Sequence, residues 1–526
     1  MTNSIAEVEE AGCVLLIGSN TTECHPLIAR RILRAKEKGA KLIVVDPRRM
    51  QISRFADLVI NLRPGTDVAL LNGIMHIILK KGWSAETYIQ ERTEGFGELK
   101  KVIEAYTPEK VASITGVAAH DLEQMAELYA TNPPGALLYC MGITQHTTGV
   151  DNVKSCCNLA MLCGYVGIPS GGVNPLRGQN NVQGACDMGG LPNVFPAYQP
   201  VTDSKANEKF SEAWDRALPD KAGLTLTDMI SGILEGKVKA LYVMGENPIL
   251  SDPDLSHVRE ALSKLDLLIV QDIYLTESAQ VADVVFAAAA VAEKEGTFTN
   301  SERRVQRVRK AVEPPGGALT DWEIICRLSS AMGYPMDYER AEDIFEEMRA
   351  LTPSYAGMTY ERLGLDGLMW PCPSEDHPGT PYLHKGAFSR GKGMFHAVPY
   401  LDPAELPDQS YPYFLSTGRH FAHFHTGTMT RISPHLDREQ KEAYVELNPG
   451  DAQGLSIKDG DRVKLTTRRG EIEAKARLSL HVRPGNVFMP FHFAESPANL
   501  LTNSAFDPIA KIPEYKVCAV NVQKAA

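Results

Sequence analysis

Two stretches of this chain combine residue types that can hold the phosphates and sugars of a nucleotide. In the first, the apolar run Cys13-Val-Leu-Leu-Ile17 closes on Gly18-Ser19-Asn20, and Lys41-Leu-Ile-Val-Val45 ends on Asp46. In the second, Ala240-Leu-Tyr-Val-Met244 closes on Gly245-Glu246-Asn247, and Leu265-Asp-Leu-Leu-Ile-Val270 ends on Gln271-Asp272. A glycine after a strand lets the backbone approach a pyrophosphate, and a following helix start offers free N–H groups. An acid closing the next strand can accept hydrogen bonds from ribose hydroxyls. The spacings nearly repeat. Gly18 to Asp46 is 28 residues and Gly245 to Asp272 is 27, while Asp46 to Asp57 and Asp272 to Asp283 are both 11. The pattern predicts two copies of one mononucleotide-binding half. Neither copy carries the full Gly-x-Gly-x-x-Gly fingerprint, which disfavours nicotinamide binding. Asp67, at the helix start after Gly65-Thr66, suits either a base contact or a plain N-cap.

Two further groups can do chemistry. Arg177 opens a polar, glycine-rich loop, Leu176-Arg-Gly-Gln-Asn-Asn-Val-Gln-Gly-Ala-Cys-Asp-Met-Gly-Gly190, that is too long for a tight turn. A fixed guanidinium there can bind a small carboxylate bidentately, although an arginine in a loop is more often simply exposed. His420, His423 and His425 form a cluster with no cysteine nearby and without ordinary zinc spacing, so no metal ligand is assigned to them.

The elements that must position these residues follow from pattern and composition. The chain has 526 residues, 44% hydrophobic and 23% charged, with a net charge of -11. It is long enough for several cores and has no electrostatic footprint for nucleic acid. No apolar stretch is long enough for a membrane span. No export signal opens the sequence, so a cytoplasmic location is expected. The ten cysteines contain no Cys-x-x-Cys pair and are expected as buried thiols. Ala136 to Met141 reads as a strand and Val150 to Leu162 as a helix. The C-terminal part alternates at strand period in Val445-Glu-Leu-Asn, Arg462-Val-Lys-Leu-Thr-Thr, Glu471-Ile-Glu-Ala-Lys-Ala-Arg and Asn486-Val-Phe-Met-Pro-Phe. The expected fold is α/β, with two pseudo-symmetric doubly wound nucleotide-binding domains (1–179 and 180–370). A linker (371–410) and a β-barrel of double-psi-like type (411–526) complete it.

The loop from Arg177 to Gly189 strongly resembles that of molybdopterin-dependent formate dehydrogenases of the dimethyl-sulfoxide-reductase family. So do Met141-Gly-Ile-Thr-Gln145, Met244-Gly-Glu-Asn-Pro248, Glu293-Lys-Glu-Gly296, Ser416-Thr-Gly-Arg419 and Pro513-Glu-Tyr-Lys-Val-Cys-Ala519. The resemblance runs along essentially the whole chain. It implies two molybdopterin guanine dinucleotides that chelate one molybdenum or tungsten. By that resemblance Gly18, Ser19, Asn20, Thr21 and Thr22 cradle phosphates, Asp46 and Arg48 hold a ribose, and Gly65, Thr66 and Asp67 hold a guanine. Met141 and Gln145 are pterin-side contacts. Asn247, Gln271, Asp272, Lys294 and Asp321 serve the second dinucleotide. Thr417, Gly418, Arg419, His420, His423, His425, Thr426, Phe491, Asn499 and Lys516 match pterin-contacting positions of the barrel. Arg177 is the expected formate-binding residue and Gln179 its neighbour.

The family also places a 4Fe–4S motif, and then a cysteine or selenocysteine metal ligand followed by histidine, upstream of the stretch that matches Met1. Neither is written in this sequence. The implied reaction removes two electrons and a proton from formate at the metal, and the cluster carries the electrons to an iron–sulfur or other electron-transfer subunit. One expectation is therefore a reading frame opened after an in-frame UGA selenocysteine codon. On that view the isolated chain is inactive and an apolar face of a sheet domain is left exposed. The alternatives are a split subunit, a nitrate or other oxyanion reductase of the same family, and a non-catalytic scaffold.

Overall fold

A computed structural model describes residues 1–525. The chain divides into two compact units. One comprises residues 1–178, 252–255 and 382–525, and the other residues 179–251 and 256–381.

The first unit is built on strands β1 (Cys13–Ile17), β2 (Lys41–Val45), β3 (Leu58–Ile60), β4 (Gly135–Tyr139) and β5 (Val173–Pro175). They pair in the order β3-β2-β1-β4-β5, every pair parallel. The runs of β1, β3 and β4 are unbroken and apolar because both faces of the sheet are covered. Cys13, Leu15 and Ile17 pack into a core with the helices Asp67–Lys81, Ala119–Thr131 and Gly149–Leu162. Val14 and Leu16 face the other way, onto Ile28, Ala29 and Ile32 of the helix Pro26–Glu37.

The second unit carries β6 (Ala240–Met244), β7 (Leu267–Asp272) and β8 (Val284–Ala287), also parallel and in the corresponding order β8-β7-β6. The internal repeat holds at the level of single hydrogen bonds. Gly18 N–H donates to Val45 O at 2.9 Å, and Gly245 N–H to Gln271 O at 2.8 Å. Both glycines have positive φ, +59° and +65°. Asp57 accepts from Leu42 N at 2.8 Å, and Asp283 from Leu268 N at 2.7 Å. The 11-residue spacing thus reflects a carboxylate that ties each third strand to its second. Val243, Leu268 and Val270 are buried under helices, whereas Tyr242, Met244, Leu267 and Val284 of the same sheet are exposed. The loop after Arg177 is not wholly irregular: it contains the helix Val182–Asp187, entered through Asn181 at φ +59°.

Six strands close the barrel: β9 (Tyr413–Gly418), β10 (Tyr444–Leu447), β11 (Arg462–Thr466), β12 (Glu471–Leu478), β13 (Asn486–Pro490) and β14 (Cys518–Lys524). Their order is β9-β13-β10-β12-β11-β14, and β14 returns to β9. The barrel falls in the same compact unit as the first sheet, which cuts across the four-part division expected from the sequence. The physical reason is a dense set of contacts between them. Arg48 donates from Nε and NH2 to the two carboxylate oxygens of Glu446, both at 2.7 Å, and its guanidinium lies 4.0 Å over the Phe488 ring. Arg49 N–H donates to His481 O at 2.7 Å, and Glu514 accepts from Thr147 N and Oγ1 and from Ala404 N. The stretch 371–410, expected as a linker, is irregular yet held. Gly393–Met394 pairs with Thr93–Glu94, Asn72 donates to Val398 O at 2.8 Å, and Phe395 and Val398 are buried.

The Arg48–Glu446 pair is bidentate and its side chains are only 12% and 4% exposed, so removing one partner strands a buried charge. Glu446→Gln should cost about 3 kcal/mol in chemical denaturation, and the paired change Arg48→Met/Glu446→Leu should cost less than either single change. Equal losses in all three variants would show that the ion pair does not dock the barrel.

Candidate functional site

The carboxyl ends of β1 and β2, the start of the helix Met141–Thr144 and the rim of the barrel enclose one cleft. Of the residues expected at a cofactor, Gly18, Ser19, Asn20, Asp46, Arg48, Gly65, Asp67, Met141, Thr417, Gly418, Arg419, Phe491 and Lys516 line it together. They come from seven separate stretches of sequence. Parallel α/β sheets bind ligands at this edge. Its floor is a close backbone approach: a Cβ on Gly142 would lie 2.6 Å from the Gly18 Cα and carbonyl oxygen. No side chain fits at either position.

The remaining expected residues sit behind this lining or in the second unit. Thr21 is buried and shares a 2.9 Å hydrogen bond with the Ser19 hydroxyl. Thr22 donates to Asn20 Oδ1 at 3.3 Å, and Thr66 donates to Arg63 O at 2.6 Å. Thr66 occupies the N-cap position of the long helix that Asp67 opens, so Asp67 is the first helical residue and not the cap. Gln145 ends the short helix begun by Met141, while Thr426 shares a 3.2 Å hydrogen bond with the Thr428 hydroxyl and Asn499 is buried. His423 donates from Nε2 to Gln440 O at 2.7 Å, which makes Nδ1 the acceptor for Thr430 Oγ1 at 3.2 Å. With both nitrogens committed, His423 has no lone pair for a metal. His420 Nδ1 accepts from Ala422 N, and His425 adopts a left-handed backbone at φ +49°. The Arg177 carbonyl accepts from His25 Nε2 at 2.6 Å.

In the second unit, Gln271 donates to Asp321 Oδ1 at 2.8 Å, and Lys294 pairs with the other oxygen of the same carboxylate. Asp321 opens a helix after a Thr320 cap, as Asp67 does after Thr66. Asn247 receives Ser278 N–H and Oγ and donates to Glu277. Asp272 accepts from Ile273 N–H, and Gln179 belongs to the same unit.

The cleft is electrostatically polar. Burial raises Asp46 to about 6, with the Arg48 N–H and the Lys516 charge opposing the shift. Burial raises Asp67 to about 7, with Asp46 adding to it. Burial and the neighbouring Arg419 charge together lower Lys516 to about 8, with Asp46 opposing the shift. Lys516 donates to Thr417 O at 2.7 Å. Arg419 donates from NH1 to Gly178 O at 2.8 Å, but its Nε and NH2 are buried without a partner. Buried donors left unpaired are costly and mark a position where an acceptor belongs. The arrangement suits a group that offers N–H donors to the acids and anionic oxygens to the cations.

Sequence reasoning missed several lining residues, among them Cys24, Cys140, His146, Asn486 and Phe488. His146 donates from Nε2 to Gly142 O at 2.8 Å, which leaves Nδ1 a buried acceptor without a partner. Burial lowers it to about 4, so it stays neutral. Its place one residue after the Met141–Gln145 motif was the available signal.

Residues 1–331 match the molybdopterin oxidoreductase family, and residues 413–519 match the molybdopterin dinucleotide-binding domain. The chain belongs to the molybdopterin oxidoreductase family. Among its relatives is F420-dependent formate dehydrogenase 1 subunit alpha of Methanococcus maripaludis, 54% identical over all of this chain and 78% of the relative. Formate dehydrogenase H of Escherichia coli is 41% identical over all of this chain and 74% of the relative. Acetylene hydratase from Pelobacter acetylenicus shares the fold with a TM-score of 0.79 at 18% identity, covering 99% of this chain and 81% of that one. For a molybdopterin oxidoreductase the unpaired Arg419 donors, the acid pair and the glycine floor all fit a pterin nucleotide. Among the described residues no helix is long and apolar enough to cross a membrane.

The acid pair sets a pH dependence for the ligand-free chain. Folded Asp46 and Asp67 keep protons up to about 6 and about 7, whereas in the unfolded chain they release them near 3.8. The folded state therefore binds more protons between these values, and stability falls as pH rises through that window. For the two acids together the loss should be on the order of 6 kcal/mol between pH 4 and pH 8. Asp67→Asn should flatten the curve, measured as Tm against pH. An unchanged slope would place the titration elsewhere.

Proposed function

We propose that this chain is the cofactor-binding part of a molybdenum- or tungsten-dependent formate dehydrogenase, and that it contributes to oxidation of formate to carbon dioxide. The observation that carries the reading is the 54% identity, over the whole chain, to a formate dehydrogenase alpha subunit. The polar loop opened by Arg177 agrees with it.

The cleft holds one molybdopterin guanine dinucleotide. Asp67 accepts from the guanine N1–H and exocyclic amine, a pairing that favours the carboxylate and returns its affinity for protons toward the ordinary range. Asp46 accepts from ribose hydroxyls, and Ser19 and Asn20 donate backbone N–H groups to the pyrophosphate, which the side-chain-free Gly18 lets approach. Arg419 and Lys516 meet oxygens at the pterin end, which gives the stranded Nε and NH2 their acceptors. The residues of the second repeat, Asn247, Gln271, Asp272, Lys294 and Asp321, serve a second dinucleotide. When bound, the metal held by the two pterins supplies the site that accepts two electrons from the substrate.

Arg177 binds the carboxylate of formate through its planar fork and orients the C–H bond; Gln179 is its neighbour in sequence. Electrons leave through an iron–sulfur or other electron-transfer partner, with coenzyme F420 one acceptor that the relatives' names point to. Arg177→Lys keeps the charge and loses the bidentate geometry. In the enzyme purified with its native partners, it should lower kcat/KM for formate by on the order of tenfold or more, with molybdenum or tungsten content unchanged. Normal kinetics in that variant would remove Arg177 from the substrate site, and nitrate-dependent turnover without formate activity would favour an oxyanion reductase.

A further inference from the structure

The turn that follows β9, residues 418–427, carries Arg419 and has an unusual main chain. His425 sits at φ +49°, a conformation that a non-glycine residue adopts only when its surroundings impose it. Gly427 packs so tightly that a Cβ there would lie 2.4 Å from the His492 carbonyl oxygen. One end of the turn is fixed by the sheet, where Phe491 N–H donates to Gly418 O at 3.2 Å. His423 ties its middle to Thr430 and Gln440, and the side chain of His492, which is fully buried, bonds to the main chain on both sides of His423. The His492 Nε2 accepts from His420 N–H at 2.8 Å, and its Nδ1 donates to the His425 carbonyl. An amide N–H only donates and a carbonyl only accepts, so these two bonds define one neutral tautomer. The ring spans the turn and joins the residue after Arg419 to the strained residue at its far side. His423 packs against it, ring centroids 5.6 Å apart.

We propose that His492 is a positioning residue that holds the 418–427 turn by one accepted and one donated main-chain hydrogen bond, and so keeps the Arg419 guanidinium directed into the cleft. An apolar ring of similar size fills the space but makes neither bond. A primary amide of sufficient length can make both. For Arg419 as a cofactor contact, the inference rests on the reading proposed above. The positioning itself does not.

The direct test follows the guanidinium. The full chain is treated with phenylglyoxal, and modification of Arg419 is timed by peptide mass spectrometry. Arg48, held by Glu446, serves as the internal control for an intact fold. His492→Phe should accelerate Arg419 modification about tenfold, as expected for loss of hydrogen bonds that hold a buried turn. His492→Gln should stay within about twofold of the native rate, because its amide restores both an acceptor and a donor. Should the Phe variant fail to fold, His492→Asn replaces it; its amide is too short to reach both partners, and it should accelerate Arg419 with Arg48 unchanged. A native Arg419 rate in the Phe or Asn variant, or a Gln variant as fast as Phe, overturns the proposal. A second arm times loss of guanine nucleotide from the cofactor-loaded enzyme. His492→Phe should speed that loss, with no further effect in an Arg419→Gln background. Faster Arg419 modification with unchanged nucleotide retention supports the positioning role and contradicts the cofactor role of Arg419.

Discussion

The cleft exists because the barrel is fixed against the strand ends of the first sheet, and the Arg48–Glu446 ion pair is the centre of that contact. A carboxylate and a guanidinium removed from water are unfavourable unless they meet with good geometry, and here two parallel hydrogen bonds and a ring face satisfy most of the guanidinium. Such a pair tolerates little displacement, so it sets the barrel's register as well as its proximity. Arg48 N–H also donates to Asp46 at 2.9 Å, which couples the docking contact to the acid in the cleft. Two residues before Lys516, Glu514 makes a second such contact, accepting from the main-chain N–H groups of Thr147 and Ala404.

Docking then forces charges together that would separate in water. Asp46, Asp67, Arg419 and Lys516 share the cleft, and every one of the four is shifted toward its neutral form. This is preorganisation with an electrostatic cost carried by the ligand-free protein. On the reading proposed above, a pterin guanine nucleotide would relieve both sets of charges, with donors for the acids and anionic oxygens for the cations. The second repeat solves the same problem differently, because Asp321 already has Lys294 and Gln271 as partners. The two copies share a backbone design and differ in how the helix-opening acid is satisfied.

Much of this was legible in the sequence, for identifiable reasons. The first two strands read from Cys13–Ile17 and Lys41–Val45 match the structure because strands buried on both faces are continuous apolar runs bounded by glycine or charge. The repeat was legible because its anchors, Gly18 and Asp57 with Gly245 and Asp283, make the same main-chain hydrogen bonds. Glu446, His146 and His492 were not legible. Glu446 meets a partner 398 residues away, and His492 holds a turn about 70 residues before it through main-chain atoms that have no side-chain signature. The Pro513–Ala519 motif drew notice for Lys516, whereas Glu514 within it is the residue that bonds to Thr147 and Ala404. The helix Val182–Asp187 was hidden in a polar, glycine-rich stretch whose composition favours a loop.

The central claim is that the acids and cations of the cleft hold a pterin guanine nucleotide that serves a metal. The most direct measurement is chemical analysis of the protein purified in its native complex, with guanine nucleotide released by acid and metals determined on the same sample. The account predicts guanine nucleotide in twofold excess over molybdenum or tungsten, and loss of about half of it in a paired Asp67→Ala/Arg419→Ala variant, since only one of the repeats is damaged. Native protein with metal but no guanine nucleotide, or a variant that retains the full amount, would contradict it.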